Sequence, residues 1–127
     1  MNPAFAYVYD ELLTQPRYER LIADIENEAG HAGIEGRILR VGMFRDPKAS
    51  LKELQSVGIK NLIFVGLDDV LLSHIQFVTT LDMTIGFLPI ASESYLARAL
   101  RLPIGAKAVQ AIAGRLVESI DLGKVGD

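Results

Sequence analysis

A chain of 127 residues, half of them hydrophobic and 23% charged, has the length of one domain and the composition of a globular protein. Its formal net charge of −3 argues against nucleic acid as a partner, and the absence of cysteine excludes disulfides, thiolate-bound zinc, iron–sulfur clusters and thiol catalysis. The first residues have no basic stretch leading into a long apolar run, and no segment approaches the roughly 18 apolar residues of a membrane span, so neither a signal peptide nor a transmembrane segment is expected and a cytoplasmic protein fits best.

Residues 4–9 (Ala-Phe-Ala-Tyr-Val-Tyr) read as a first buried strand, with Phe5, Tyr7 and Tyr9 as core residues. Thr14 offers an N-cap and Pro16 sits where the first helical turn needs no N–H. Tyr18, Leu21, Ile22, Ile25 and Ala29 follow at helical spacing, and Gly30 is the expected stop. His31 falls in the polar turn beyond it, a surface position. Residues 36–41 form a second strand.

Asp46-Pro47 opens the next helix, Leu51, Leu54 and Val57 give it an inner stripe, and Gly58 ends it. Residues 61–65 are apolar nearly throughout, as in a strand buried on both faces. One helix is predicted from about Asp69 to Val78, with His74 in its middle as a partly exposed residue. Met83 to Leu88 form a fourth strand closed by Pro89. Ser92 starts a helix carrying Leu96, Ala97 and Leu100, which Pro103 breaks. Val109, Ile112, Ala113 and Leu116 stripe a further helix, and residues 117–122 form a last strand. Strand and helix alternate along the whole chain. The expected fold is therefore a single α/β domain over 1–127, a doubly wound and mostly parallel sheet with helices on both faces.

The stretch Leu62 to Val70 runs from an apolar strand through a glycine turn into a helix, which is where an open α/β sheet holds a phosphate or nucleotide. Pro89-Ile90-Ala91-Ser92-Glu93-Ser94-Tyr95-Leu96-Ala97-Arg98-Ala99-Leu100-Arg101-Leu102-Pro103 resembles the segment Pro-x-Gly-Thr-x-Asn-Asp-Phe-Ala-Arg-x-Leu-x-x-Pro of the diacylglycerol kinase catalytic domain family, which includes bacterial lipid kinases and sphingosine kinases and is related to NAD kinases. Ala108 to Gly114, followed by Ile120-Asp121-Leu122-Gly123-Lys124-Val125, is similar to that family's next helix and its Asp-Leu-Gly-x-Val strand. Gly66-Leu67-Asp68-Asp69-Val70 falls where the family carries Gly-Gly-Asp-Gly-Thr. The resemblance covers the element order of the whole chain and is most specific over 62–125. It implies the fold of the family's N-terminal, ATP-binding lobe. It also implies that the second, β-rich lobe, which supplies much of the lipid site, is absent from these residues.

On that resemblance Gly66, Asp68, Asp69, Ser92 and Ser94 are the remnants of a nucleotide site, and Asp68 and Asp69 are the candidate ligands of Mg²⁺ accompanying ATP. The departures are physical. Leu67 stands where a glycine would let phosphate oxygens reach backbone N–H groups. Asp69 adds a negative charge beside a negative ligand, at a cost of roughly 4 kcal/mol for a pair about 4 Å apart at an effective dielectric of about 20. Val70 lacks the threonine hydroxyl, Ala91 replaces a glycine, and Glu93 puts an acid in the first turn of its helix. The first turn, Tyr9-Asp10-Glu11, has two acids where the family's Asn-Pro-x-Ser-Gly has a glycine.

Three readings of function follow. One is a non-catalytic relative acting as a binding or assembly module, as a homo-oligomer or with a protein partner. Another is the nucleotide lobe of an ATP-dependent lipid kinase, needing a second lobe. The last is a sensing domain for an uncharged or cationic metabolite. Without a ligand, one of Asp68 and Asp69 is expected to cap its own helix. Asp10 and Glu93 would join both in an acidic crevice, as a solvated rim or a cation site.

Overall fold

The computed structural model of the protein describes residues 4–91 and 93–115, with side chains as far as Ile112. Its frame is a parallel sheet of four strands in the order β2-β1-β3-β4: β1 (Phe5–Tyr9), β2 (Arg37–Arg40), β3 (Asn61–Gly66) and β4 (Thr84–Pro89). Among the described residues six α-helices accompany it: α1 (Glu19–Ala32), α2 (Pro47–Ser56), α3 (Asp68–Leu72), α4 (Ile75–Val78), α5 (Tyr95–Ala99) and α6 (Lys107–Arg115). This is the doubly wound α/β architecture that the alternating pattern predicts. The strand expected over 117–122, and Ser92, lie outside the described residues.

Because strand side chains alternate between faces, the apolar strands supply two cores at once. Ala6, Val8, Leu62, Phe64, Ile85 and Phe87 pack on one face with Leu51 and Leu54 of α2, Val70 and Leu71 of α3, and Leu96 of α5. Tyr7, Tyr9, Ile63, Val65 and Leu88 pack on the other with Ile25 and Ala29 of α1 and with Val109 and Ile112 of α6. Phe64 is fully buried, a position worth about 2–3 kcal/mol of apolar transfer. The edge strand β2 is different. Arg37 and Arg40 are exposed, Ile38 is 48% exposed, and among the described residues no strand pairs with its outer edge.

Helix ends follow a common device. α1 runs past Gly30 and stops at Gly33, whose φ of 74° is left-handed; the Ile34 N–H donates to the Ala29 carbonyl and the Gly33 N–H to Gly30. Gly30 is the wrong stop because its side of the helix still has Ile34 to bury, and the buried Ala29–Ile34 pair pulls the turn three residues later. Gly58 (φ 97°) ends α2 the same way, with Ile59 N–H donating to Leu54. Val57, predicted in the inner stripe, is 51% exposed because it lies in that reversing turn. After α5 the left-handed position is held by Arg101 (φ 54°), with Leu102 N–H on the Ala97 carbonyl.

Three other local expectations are corrected. Thr14 caps no helix: its hydroxyl donates to the Glu11 carbonyl, and residues Glu11–Thr14 and Pro16–Tyr18 form two 3-10 turns ahead of α1. The helix expected over 69–78 is two helices, broken at Ser73 and His74. The cause is His74 itself. Its Nδ1 lies 2.8 Å from the Val70 carbonyl, the acceptor that its own backbone N–H would take in a continuous helix, while that N–H bonds Leu71 instead. The ring is thereby buried, 4% exposed, against Phe44, Phe64 and Phe77. Finally, α5 begins after Ser94 rather than Ser92, because the Ser94 side chain accepts from Ala97 N–H at 3.0 Å.

Tyr7 and Tyr9 carry a testable consequence. The Tyr7 hydroxyl donates to the Ile34 carbonyl and Tyr9 donates to Glu26 at 3.0 Å. Burial pushes both phenols well above their ordinary value of 10.0, reinforced by the negative charge of Glu35 at Tyr7 and of Glu26 at Tyr9. The unfolded chain releases these protons from about pH 10 while the folded protein keeps them, so stability is intact below that pH and falls above it. Each tyrosine subtracts up to about 1.4 kcal/mol per pH unit there. Urea titrations between pH 9 and 11.5 will show this slope, and Tyr7→Phe and Tyr9→Phe will each flatten it.

Candidate functional site at the carboxyl edge of the sheet

The strand order reverses between β1 and β3: β1 passes to β2 on one side and β3 to β4 on the other. Such a switch point opens a crevice outside the carboxyl ends of the strands. Asp10 leaves β1 and Gly66 ends β3 at this point. The sequence signal therefore lies where the topology opens a crevice.

The residues there are joined to one another. Asp10 continues the ladder, its N–H donating to Val65 at 2.9 Å. Its Oδ1 accepts from Leu12 N–H at 3.0 Å and its Oδ2 from Leu67 N–H at 3.1 Å. Gly66, at φ 151°, is in a conformation that residues with a Cβ rarely adopt, and a Cβ built on it would lie 2.3 Å from the Asp10 Cβ. The glycine predicted to admit a phosphate thus admits Asp10. Leu67 is partly exposed at the lip, and Val70 is buried in the core, which accounts for an apolar residue there.

Asp68 makes the second junction. Its Oδ2 accepts from the backbone N–H of Tyr95 at 2.9 Å and of Leu96 at 3.2 Å, and its Oδ1 accepts from the Ser94 hydroxyl. It therefore caps α5, a helix 26 residues away in sequence, rather than its own; the N-cap position of α3 is Leu67, which makes no side-chain cap. Ser94, 6% exposed, donates to Asp68 and accepts from Ala97 N–H, so both of its roles are filled. A third carboxylate acts alike: Glu11 Oε2 accepts from Gly42 N–H, at 2.9 Å, in the turn after β2. The turns at this rim are stitched by the chain's own acids at the kind of backbone N–H that a bound anion would use.

Leu67, Asp68, Asp69, Ala91, Glu93 and Ser94 line an open depression of about 270 Å³. The structure so brings Asp68, Asp69, Glu93 and Ser94 together, with Gly66 behind them. Asp10 is held from the other side of Leu67 and lines a separate cavity of about 210 Å³ with Tyr9, Glu26 and Arg40. Asp69 is exposed in the first turn of α3. Among the described residues no three His, Asp or Glu side chains are grouped to hold a metal ion. His31 is exposed on the last turn of α1 and His74 is buried in the core, away from this lining. Sequence reasoning missed that Asp10 and Glu11 are backbone acceptors and that Asp68 accepts from α5 rather than from its own helix. An acid immediately after an apolar strand was the only local signal, and the partners lie 31 to 57 residues away in two of the three cases.

Among the described residues no helix is long and apolar enough to cross a membrane. Compared with models of known protein families and with curated proteins, the sequence matches none.

Proposed function

We propose that this domain is a non-catalytic binding or assembly module, built on a fold like the N-terminal lobe of diacylglycerol kinases, and that it works in the cytoplasm without a nucleotide. One observation carries the reading: the Asp68 carboxylate fills the N–H groups of Tyr95 and Leu96 at the start of α5, where the resemblance would put a phosphate. Asp10 on Leu67 N–H supports it from the other side of the crevice. A nucleotide phosphate would have to displace a carboxylate already hydrogen-bonded and then sit beside its charge. Both terms oppose binding, the second by roughly 4 kcal/mol at about 4 Å and an effective dielectric of about 20.

The expected result is that ATP, ADP and NAD, each at millimolar concentration with and without Mg²⁺, leave the thermal unfolding midpoint unchanged. Ligand at about 100 times its Kd would stabilise the fold by roughly 2.7 kcal/mol, an easily read shift. An ATP–Mg²⁺ shift abolished by Asp68→Ala would overturn the proposal in favour of the nucleotide lobe of a lipid kinase.

A further inference from the structure

Among the described residues, the outer edge of β2 offers backbone, apolar and charged groups together. Ile38 and Arg40, two residues apart, share the face toward α1, and both border the cavity that includes Tyr9 and Glu26. A neighbouring cavity of about 220 Å³, floored by Tyr7, Ile25 and Ala29, is bordered by Glu26, Glu35, Gly36 and the same Ile38. The edge therefore carries Arg40 at one end of β2 beside Asp10 and Glu26, Glu35 just ahead of the exposed Arg37 at the other, and a half-exposed isoleucine between them.

We infer that this edge is a self-association surface, on which two copies of the chain pair their β2 strands antiparallel about a twofold axis at Ile38, each placing Arg40 over the Glu35 and Glu26 of the other. The inference rests on the assembly reading proposed above and names its partner, a second copy.

The register follows from symmetry and charge. A twofold axis normal to the sheet keeps every residue on its own face, so only residues of like parity can stand opposite one another. With Ile38 on the axis, the two isoleucines cover each other, Arg37 faces Leu39, and Arg40 faces Gly36, next to Glu35. Gly36 is a glycine because its backbone lies against β1, where a Cβ would come within 2.2 Å of the Phe5 carbonyl oxygen. Shifting the axis to Arg37 sets two arginines directly opposite, an unfavourable like-charge pair. Shifting it to Leu39 withdraws Arg40 from the acids. A surface holding both signs of charge in this order is complementary to itself, as an isologous interface requires. It would also join two four-stranded sheets into one across an edge that has no strand partner among the described residues.

Sedimentation velocity on the full chain across a hundredfold concentration range tests this. A reversible dimer is expected, weakened by salt and weakened at least tenfold by Ile38→Asp. Arg40→Glu alone and Glu35→Lys alone will each favour monomer, since either places like charges together twice. Both positions are exposed, so each variant will retain the wild-type circular dichroism. An equimolar mixture of the two variants will dimerise again, because in the mixed pair both contacts join opposite charges. A wild-type monomer at every concentration, a dimer indifferent to these variants, or a mixture that stays monomeric overturns the inference. Nucleotide binding is a separate readout: a dimer that also responds to ATP–Mg²⁺ would sink the non-catalytic reading and leave the interface standing.

Discussion

Gly66→Ala will destabilise the fold by about 3–5 kcal/mol, through two effects of similar size. The backbone at φ 151° strains any residue with a Cβ, by about 1–3 kcal/mol. The added methyl also meets Asp10, whose Cβ would be 2.3 Å away and whose Oδ2 2.7 Å away. Asp10 cannot easily give way, because its carboxylate holds Leu12 and Leu67 and its own N–H holds Val65. Overpacking of this kind costs a further 1–3 kcal/mol or so. Urea unfolding gives the total, and a double-mutant cycle separates the parts. In an Asp10→Gly background the steric share disappears, leaving a coupling of about 1 kcal/mol or more. A loss below about 1 kcal/mol for Gly66→Ala alone would refute the close approach.

Asp68→Ala will cost about 2–3 kcal/mol and lower the thermal midpoint by about 10 °C. The substitution removes the acceptor of the Ser94 hydroxyl and of two backbone N–H groups at the start of α5. Asp68→Asn will recover part of the loss, since one amide oxygen can still accept from Tyr95 and Leu96 while the amide nitrogen donates to the Ser94 hydroxyl oxygen, with the charge assistance gone. Ser94→Ala will cost less, about 1 kcal/mol, because Asp68 still holds Tyr95 and Leu96. Amide exchange at Tyr95 and Leu96 will accelerate in Asp68→Ala. Unchanged stability together with unchanged exchange would show that the carboxylate does not hold the helix.

The fold was legible because its strands are short apolar runs bounded by local punctuation. Asp46-Pro47 marked the start of α2 correctly, with Asp46 accepting from Ala49 N–H as an N-cap. The misplaced ends have a shared cause. Gly30 and Gly33 are equivalent by composition, and only the burial of Ile34 against Ala29 selects the second. His74 looked like an ordinary helical residue, yet its ring takes a backbone acceptor only because three phenylalanines provide a pocket for it. At the candidate site, sequence pointed to the crevice through Gly66 and Asp68 but not to the contacts they make, Gly66 with Asp10 and Asp68 with the start of α5. A carboxylate awaiting a ligand and a carboxylate already satisfied by a distant backbone are spelled identically, and the difference lies in contacts across the sheet.

The placement of β1 in the interior of the sheet governs how the chain can be made. Tyr7 pairs with Ile38 on one flank and with Ile63 on the other, so β1 is completed only when β3 has been synthesised. A nascent polypeptide leaves the ribosome with Tyr7, Val8 and Tyr9 uncovered until the segment ending at Gly66 clears the exit tunnel. Until then the apolar side chains of β1 are uncovered, and completing the sheet requires long loop closures in addition to helix formation.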